Sequence, residues 1–116
     1  MYTDWKKLIG DLSPPLRDLR AGAPDVMKGF SAIAQAALKA NALDTKTKEL
    51  IALAIAVTRQ CDGCIASHAR GAAQSGATEQ EVAEALGVAI FMNGGPGTVY
   101  APRALAAFHE FAPAQG

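Results

Sequence analysis

The sequence predicts an all-α fold of about six helices, and three observations carry that prediction. Apolar residues recur at three- and four-residue spacing along most of the chain, helix caps and Pro/Gly breaks punctuate it at helical lengths, and no segment reads as a strand. Alanine occupies 25 of the 116 positions, which favours helices that pack closely. A chain of 116 residues buries roughly two-thirds of its unfolded surface, so one domain over residues 1–116 is the expected organisation, with no need of disulfides to fold.

Thr3 is the expected cap of a first short helix carrying Trp5, Leu8, Ile9 and Leu12 on one face. Ser13-Pro14-Pro15 restarts the chain, with Ser13 as cap and proline in the first turn of a second short helix that runs to about Arg20. Ala21-Gly22-Ala23-Pro24 ends it. Pro24-Asp25 then opens a longer helix on which Met27, Phe30, Ile33, Ala34, Ala37 and Leu38 share a face, with Asn41 as its stop. Gly29 lies inside that helix at a cost of about 1 kcal/mol relative to alanine, which calls either for another backbone close by or for a local break.

Asp44 caps the next helix, Thr45 to about Gln60, whose run from Leu50 to Val57 predicts a helix apolar all round, buried at the centre of the fold. The helix after it begins around Cys61-Asp62-Gly63-Cys64 and ends at Gly76, a good left-handed stop. Thr78-Glu79-Gln80-Glu81 is a capping box, and Val82, Ala85, Leu86, Ala89 and Ile90 continue from it as a stripe to Asn93. Gly94-Gly95-Pro96-Gly97 breaks the chain. A last helix, its start blurred by Pro102, carries Leu105, Phe108 and Phe111 before a frayed tail.

Eleven Lys+Arg against eleven Asp+Glu leave no basic field for nucleic acid or an anionic membrane, and a net charge of zero does nothing to discourage self-association. The longest unbroken apolar run, Leu50 to Val57, has eight residues, far short of the roughly twenty that span a bilayer as a helix. Met1-Tyr2-Thr3-Asp4-Trp5-Lys6-Lys7 lacks the basic start and apolar stretch of a secretory signal, which predicts a cytoplasmic protein. Both cysteines, Cys61 and Cys64, lie in one C-x-x-C, and in a reducing compartment such a pair points to redox chemistry or metal more than to a structural staple.

At about 100° per residue, Cys61, Cys64 and His68 share a helical face about 60° wide. The unpaired N–H groups and positive dipole end of a helix stabilise thiolate in its first turn, and this argument favours Cys61 as the more acidic thiol. Imidazole gives and takes protons near neutral pH, so His68 is suited to serve the thiols. Glu49 is the fourth candidate: if its helix and the Cys61 helix turn back on each other near Gln60, the carboxylate approaches His68 and fixes its tautomer. The simpler alternatives are a structural thiol pair, Glu49 as part of a surface patch with Lys46 and Lys48, and a zinc site. Cys61, Cys64 and His68 supply only three zinc ligands, so zinc requires Glu49 or His109 as a fourth. His109, between Phe108 and Phe111, has no evident partner and reads as structural.

The order Glu49, eleven residues, Cys61-Asp62-Gly63-Cys64, three residues, His68 resembles the signature of the AhpD-like superfamily, which includes the carboxymuconolactone decarboxylases. Leu43 to Ala56 resembles that family's buried helix, and Gly76 to Leu86 resembles its next turn and helix, so the likeness covers a core of about residues 25–110. The resemblance implies an AhpD-like helical bundle in a short, single-unit member that assembles as a homotrimer or homohexamer. It further implies a thiol-disulfide oxidoreductase, a hydroperoxide reductase of peroxiredoxin type. Its substrate would be a hydroperoxide, its reductant a dithiol protein or small thiol, and it would need no cofactor and no metal. By position, Cys64 would attack the peroxide, Cys61 would be the more exposed resolving thiol, and Glu49 with His68 would relay protons. The chain departs from the peroxidase members in having Gly63 where they carry histidine, and in lacking their second copy of the helical unit. The decarboxylase branch lacks the cysteine pair. An alternative in that branch is a lactone enzyme with Glu49 and His68 as acid and base.

Overall fold

The computed structural model describes residues 3–113. Met1 and Tyr2 at the start of the segment read for a leader, and residues 114–116 of the tail read as frayed, lie outside the described residues. Six helices follow in order: α1 (Trp5–Gly22), α2 (Pro24–Leu38), α3 (Thr45–Arg59), α4 (Asp62–Gln74), α5 (Glu79–Asn93) and α6 (Gly95–Phe111). The fold is all-α, as the periodicity predicts.

The side-chain caps of α3 and α5 fall where the sequence puts them. Asp44 Oδ1 accepts the N–H of Thr47 at 2.7 Å, and Thr78 and Glu81 complete a reciprocal capping box at 3.1 and 2.9 Å. The left-handed stop also holds, at Gly76 with φ +84°.

Prolines mislead at two points. The two short helices expected before residue 21 are one continuous α1, capped by Asp4 rather than Thr3, and Ser13 is a mid-helix residue. Proline's fixed φ suits a helix; its cost is the missing N–H and the ring's crowding of the carbonyl four residues back. Pro14, Pro15, Gly10 and Asp11 are all exposed, so water can serve the carbonyls left without donors. Likewise α6 starts at Gly95, with only Gly94 (φ +67°) breaking the chain, and passes through an exposed Pro102.

The core is built from Trp5, Leu53, Val57, Ile65, Val82, Leu86 and Phe108, with alanines of α4 (Ala66, Ala69, Ala72) and α6 (Ala101, Ala104, Ala107) between them. Those small side chains let neighbouring helices approach closely. One expectation about burial needs correction. On α3 only one face, with Glu49, Leu53, Ala56 and Val57, is buried, while Ile51 and Ile55 are exposed. On α2 no residue is fully buried: it packs along α1 and α3, and Phe30 and Ile33 of its apolar stripe are exposed. It also ends at Leu38, before Asn41. Nothing lies within 4 Å of a Cβ built on Gly29, so this glycine marks neither a close approach nor a break. Among the described residues, no helix is long and apolar enough to cross a membrane.

Candidate functional site

The site is assembled by the turn from α3 into α4. Gln60, with φ 53° and ψ 42°, takes the left-handed conformation and its N–H bonds the carbonyls of Ala56 and Val57, which ends α3 in a single residue. Cys61 follows in extended conformation as the N-cap of α4, one position outside the helix in which the wheel geometry put it. Its sulfur takes the role usually filled by a serine or aspartate oxygen, accepting the N–H of Cys64 at 3.3 Å.

Cys61 and Cys64 are joined by a disulfide, with Cα atoms 5.2 Å apart. Cys64 is exposed and Cys61 half-buried in the single chain, the reverse of the order that the resemblance implies. Gly63 between them is covered by α1: a Cβ built there would meet Leu12 Cδ1 at 3.5 Å.

His68 lies on α4 one turn beyond Cys64, with 28% of its side chain exposed, and its Nδ1 is 3.3 Å from Glu49 Oε2. The antiparallel turn at Gln60 therefore brings the carboxylate of α3 to the imidazole of α4. Glu49 is 4% exposed, the one buried charged residue among those described, and so is not part of a surface patch with Lys46 and Lys48. Those lysines turn elsewhere: Lys46 pairs with Glu81 at 2.8 Å and Lys48 bonds the carbonyl of Lys39.

Three contributions have no signature in the sequence. Gly71, one turn after His68, makes the space for Glu49, since a Cβ there would sit 1.6 Å from Glu49 Oε2. Arg103 of α6 reaches Asp62 inside the C-x-x-C at 3.0 Å, with its guanidinium over the rings of Trp5 and Tyr100 at 5.2 and 5.4 Å. Leu12 comes from a helix fifty residues away along the chain.

His109 does have a partner: its Nε2 meets Glu79 Oε1 at the exposed start of α5, away from the cysteines. Among the described residues, no group of three or more His, Cys, Asp and Glu side chains is arranged to hold a metal ion.

The profile of the carboxymuconolactone decarboxylase family matches residues 24–107, which include Glu49, Cys61, Cys64, His68, Gly71 and Arg103. The chain belongs to that family. Within it, a crystal structure of a family protein from Legionella pneumophila superposes with a TM-score of 0.91 at 47% identity, covering 94% of this chain and 97% of that one. A family protein from Thermotoga maritima, for which an antioxidative role has been suggested, superposes with a TM-score of 0.77 at 28% identity over 88% of this chain and 87% of its own. An uncharacterized protein of Haemophilus influenzae is 44% identical over 108 residues, 93% of this chain and 96% of its own length.

Proposed function

We propose that this family member is a thiol-disulfide oxidoreductase that reduces hydroperoxides through Cys61 and Cys64. The observation that carries the reading is one constellation: a disulfide at the N-terminus of α4, with His68 one turn on and bonded to the buried Glu49. A carboxylate only accepts, so His68 Nδ1 carries the hydrogen toward Glu49, and Nε2 is free to take or give a proton. The antioxidative role suggested for the Thermotoga protein points the same way.

In the reduced pair, His68 receives the proton of the attacking thiol, and the N-terminus of α4 steadies the thiolate by about 0.3–1 kcal/mol. Cys64, the exposed member, attacks the outer oxygen of ROOH. The O–O bond breaks, sulfur becomes a sulfenic acid, and the alkoxide leaves as ROH with the proton returned by His68. Cys61 then attacks the sulfenic sulfur, water departs, and the disulfide forms. Two thiols of a reductant restore the pair, so each turnover converts ROOH and two thiols into ROH, water and a disulfide.

Steady-state peroxide turnover with a dithiol reductant tests this. Cys64→Ser is expected to abolish turnover, and Cys61→Ser to abolish it while leaving a sulfenic acid on Cys64 that a dimedone probe captures. Full activity in both variants would refute the reading, and lactone turnover indifferent to thiol alkylation would support the decarboxylase alternative. The proposal extends to a cytoplasmic setting, where dithiol reductants are kept reduced, and to assembly as a homotrimer or homohexamer.

A further inference from the structure

A charged side chain taken out of water costs several kcal/mol unless it is paired and hydrogen-bonded. Arg103 keeps only 12% of its side chain exposed, yet α6 directs it to Asp62 Oδ1 at 3.0 Å and between the ring faces of Trp5 and Tyr100. Asp62 directly follows Cys61, inside the loop that the disulfide closes. A carboxylate in that position repels a thiolate, and a guanidinium paired to it removes most of that repulsion. The ion pair therefore governs the charge beside the sulfurs, although neither residue carries a thiol.

We propose that Arg103 is a positioning residue of the thiol pair, which through Asp62 cancels a negative charge beside Cys61 and holds the reduced form in its thiolate state. The proposal rests on the redox reading given above for Cys61 and Cys64. Among the described residues, the charged and titratable groups at this end of α4 include Asp62 and His68 of α4 itself, Glu49 of α3, and Arg103 and Tyr100 of α6. Leu12 of α1 is apolar, and Arg59 closes α3 two residues before Cys61. Glu49 is bonded to His68, and Asp62 is bonded to Arg103 at 3.0 Å.

The chemistry to be measured is exchange with glutathione. Two glutathione thiols deliver two electrons to the Cys61–Cys64 bond and become one glutathione disulfide, while their two protons pass to the protein thiols or, for a thiolate, to solvent. The full chain is equilibrated in buffers of graded glutathione ratio and the reduced fraction is read by alkylation and mass. The pH dependence of iodoacetamide alkylation of the reduced protein is followed in parallel.

Arg103→Gln is expected to lower the equilibrium constant for reduction by about three- to tenfold, a potential about 15–30 mV more negative, and to move the alkylation midpoint upward in pH. Asp62→Asn is expected to move both in the opposite sense. The double variant should return to within about twofold of the parent, and Arg103→Lys, which keeps the charge, should fall nearer the parent than Arg103→Gln. A role in packing alone moves no alkylation midpoint in opposite directions. If Arg103→Gln does not fold, Asp62→Asn decides, because Asp62 is 43% exposed and outside the core. An unchanged midpoint in Asp62→Asn, or shifts of the same sign in both single variants, overturns the proposal while leaving the redox reading intact. A parent pair that does not cycle between dithiol and disulfide overturns both, and a pair that cycles with glutathione but turns over no peroxide overturns the peroxidase reading alone.

Discussion

Glu49 and Gly71 form the tightest arrangement at the site. With a Cβ at residue 71 the carboxylate would meet carbon at 1.6 Å from Oε2 and 2.4 Å from Cδ, so Gly71→Ala forces Glu49 to another rotamer in a buried position. Alanine gains about 1 kcal/mol of helix propensity there, while overpacking costs about 1–3 kcal/mol, so the net change in stability is expected to be small or unfavourable. Peroxide turnover should nevertheless fall at least tenfold, because His68 loses the acceptor that fixes its tautomer. Denaturant titration and turnover measured on the same variant separate these effects. Gly29 is the control: open space surrounds it, so Gly29→Ala is expected to stabilise by about 1 kcal/mol and leave turnover alone. The sequence makes Glu49, Cys61, Cys64 and His68 visible because their proximity follows from spacing along two consecutive helices. Gly71 and Arg103 stay hidden because their meaning depends on what stands opposite them: a carboxylate from α3 in one case, and an aspartate 41 residues away in the other.

At the scale of the helices, the ends that hold the site together are anchored by carboxylates. Hydrogen bonding from Thr47 holds Asp44 below the usual carboxylate range at the start of α3, and Lys46, then Thr78, do the same for Glu81 at the start of α5. Both groups therefore titrate lower folded than unfolded. Protonation is thus coupled to unfolding: their contribution is complete above the ordinary carboxylate range near pH 4 and is lost as pH falls through their folded values. Urea midpoints at pH 6 and pH 3 should differ, and the double variant Asp44→Asn, Glu81→Gln should narrow that difference; an unchanged gap would show that other carboxylates carry it. These same caps are the boundaries that sequence alone locates, because Asx and capping-box chemistry is local. Pro14, Pro15 and Pro102 read as breaks by the same local logic. Their effect depends on whether the carbonyls they leave without donors can face water, which only the packed chain decides.

For the whole molecule, the apolar surface exceeds what one chain buries. Helix α5 buries Val82, Leu86 and Ala89 on one side and exposes Val88, Phe91 and Met92, the last two at 82% and 73%, on another. Ile51 and Ile55 of α3 and Val26, Phe30 and Ile33 of α2 repeat the pattern at helical spacing. The all-round apolar run of α3 and the exposed apolar stripe of α2 are both explained if their outward faces are covered by other copies, since exposed apolar surface of this kind marks interfaces and a chain of zero net charge offers little repulsion. Each stable contact of this sort buries roughly 1,200–2,000 Å². Light scattering at micromolar concentration is therefore expected to give three or six times the mass of one chain. Phe91→Glu and Phe30→Glu, both at exposed positions where the monomer fold loses nothing, should each reduce that mass and leave the helical circular dichroism intact. A parent protein that scatters as a single chain would end the assembly proposal, and a Phe91→Glu variant of unchanged mass would exclude α5 from the interface while Phe30→Glu still tests α2.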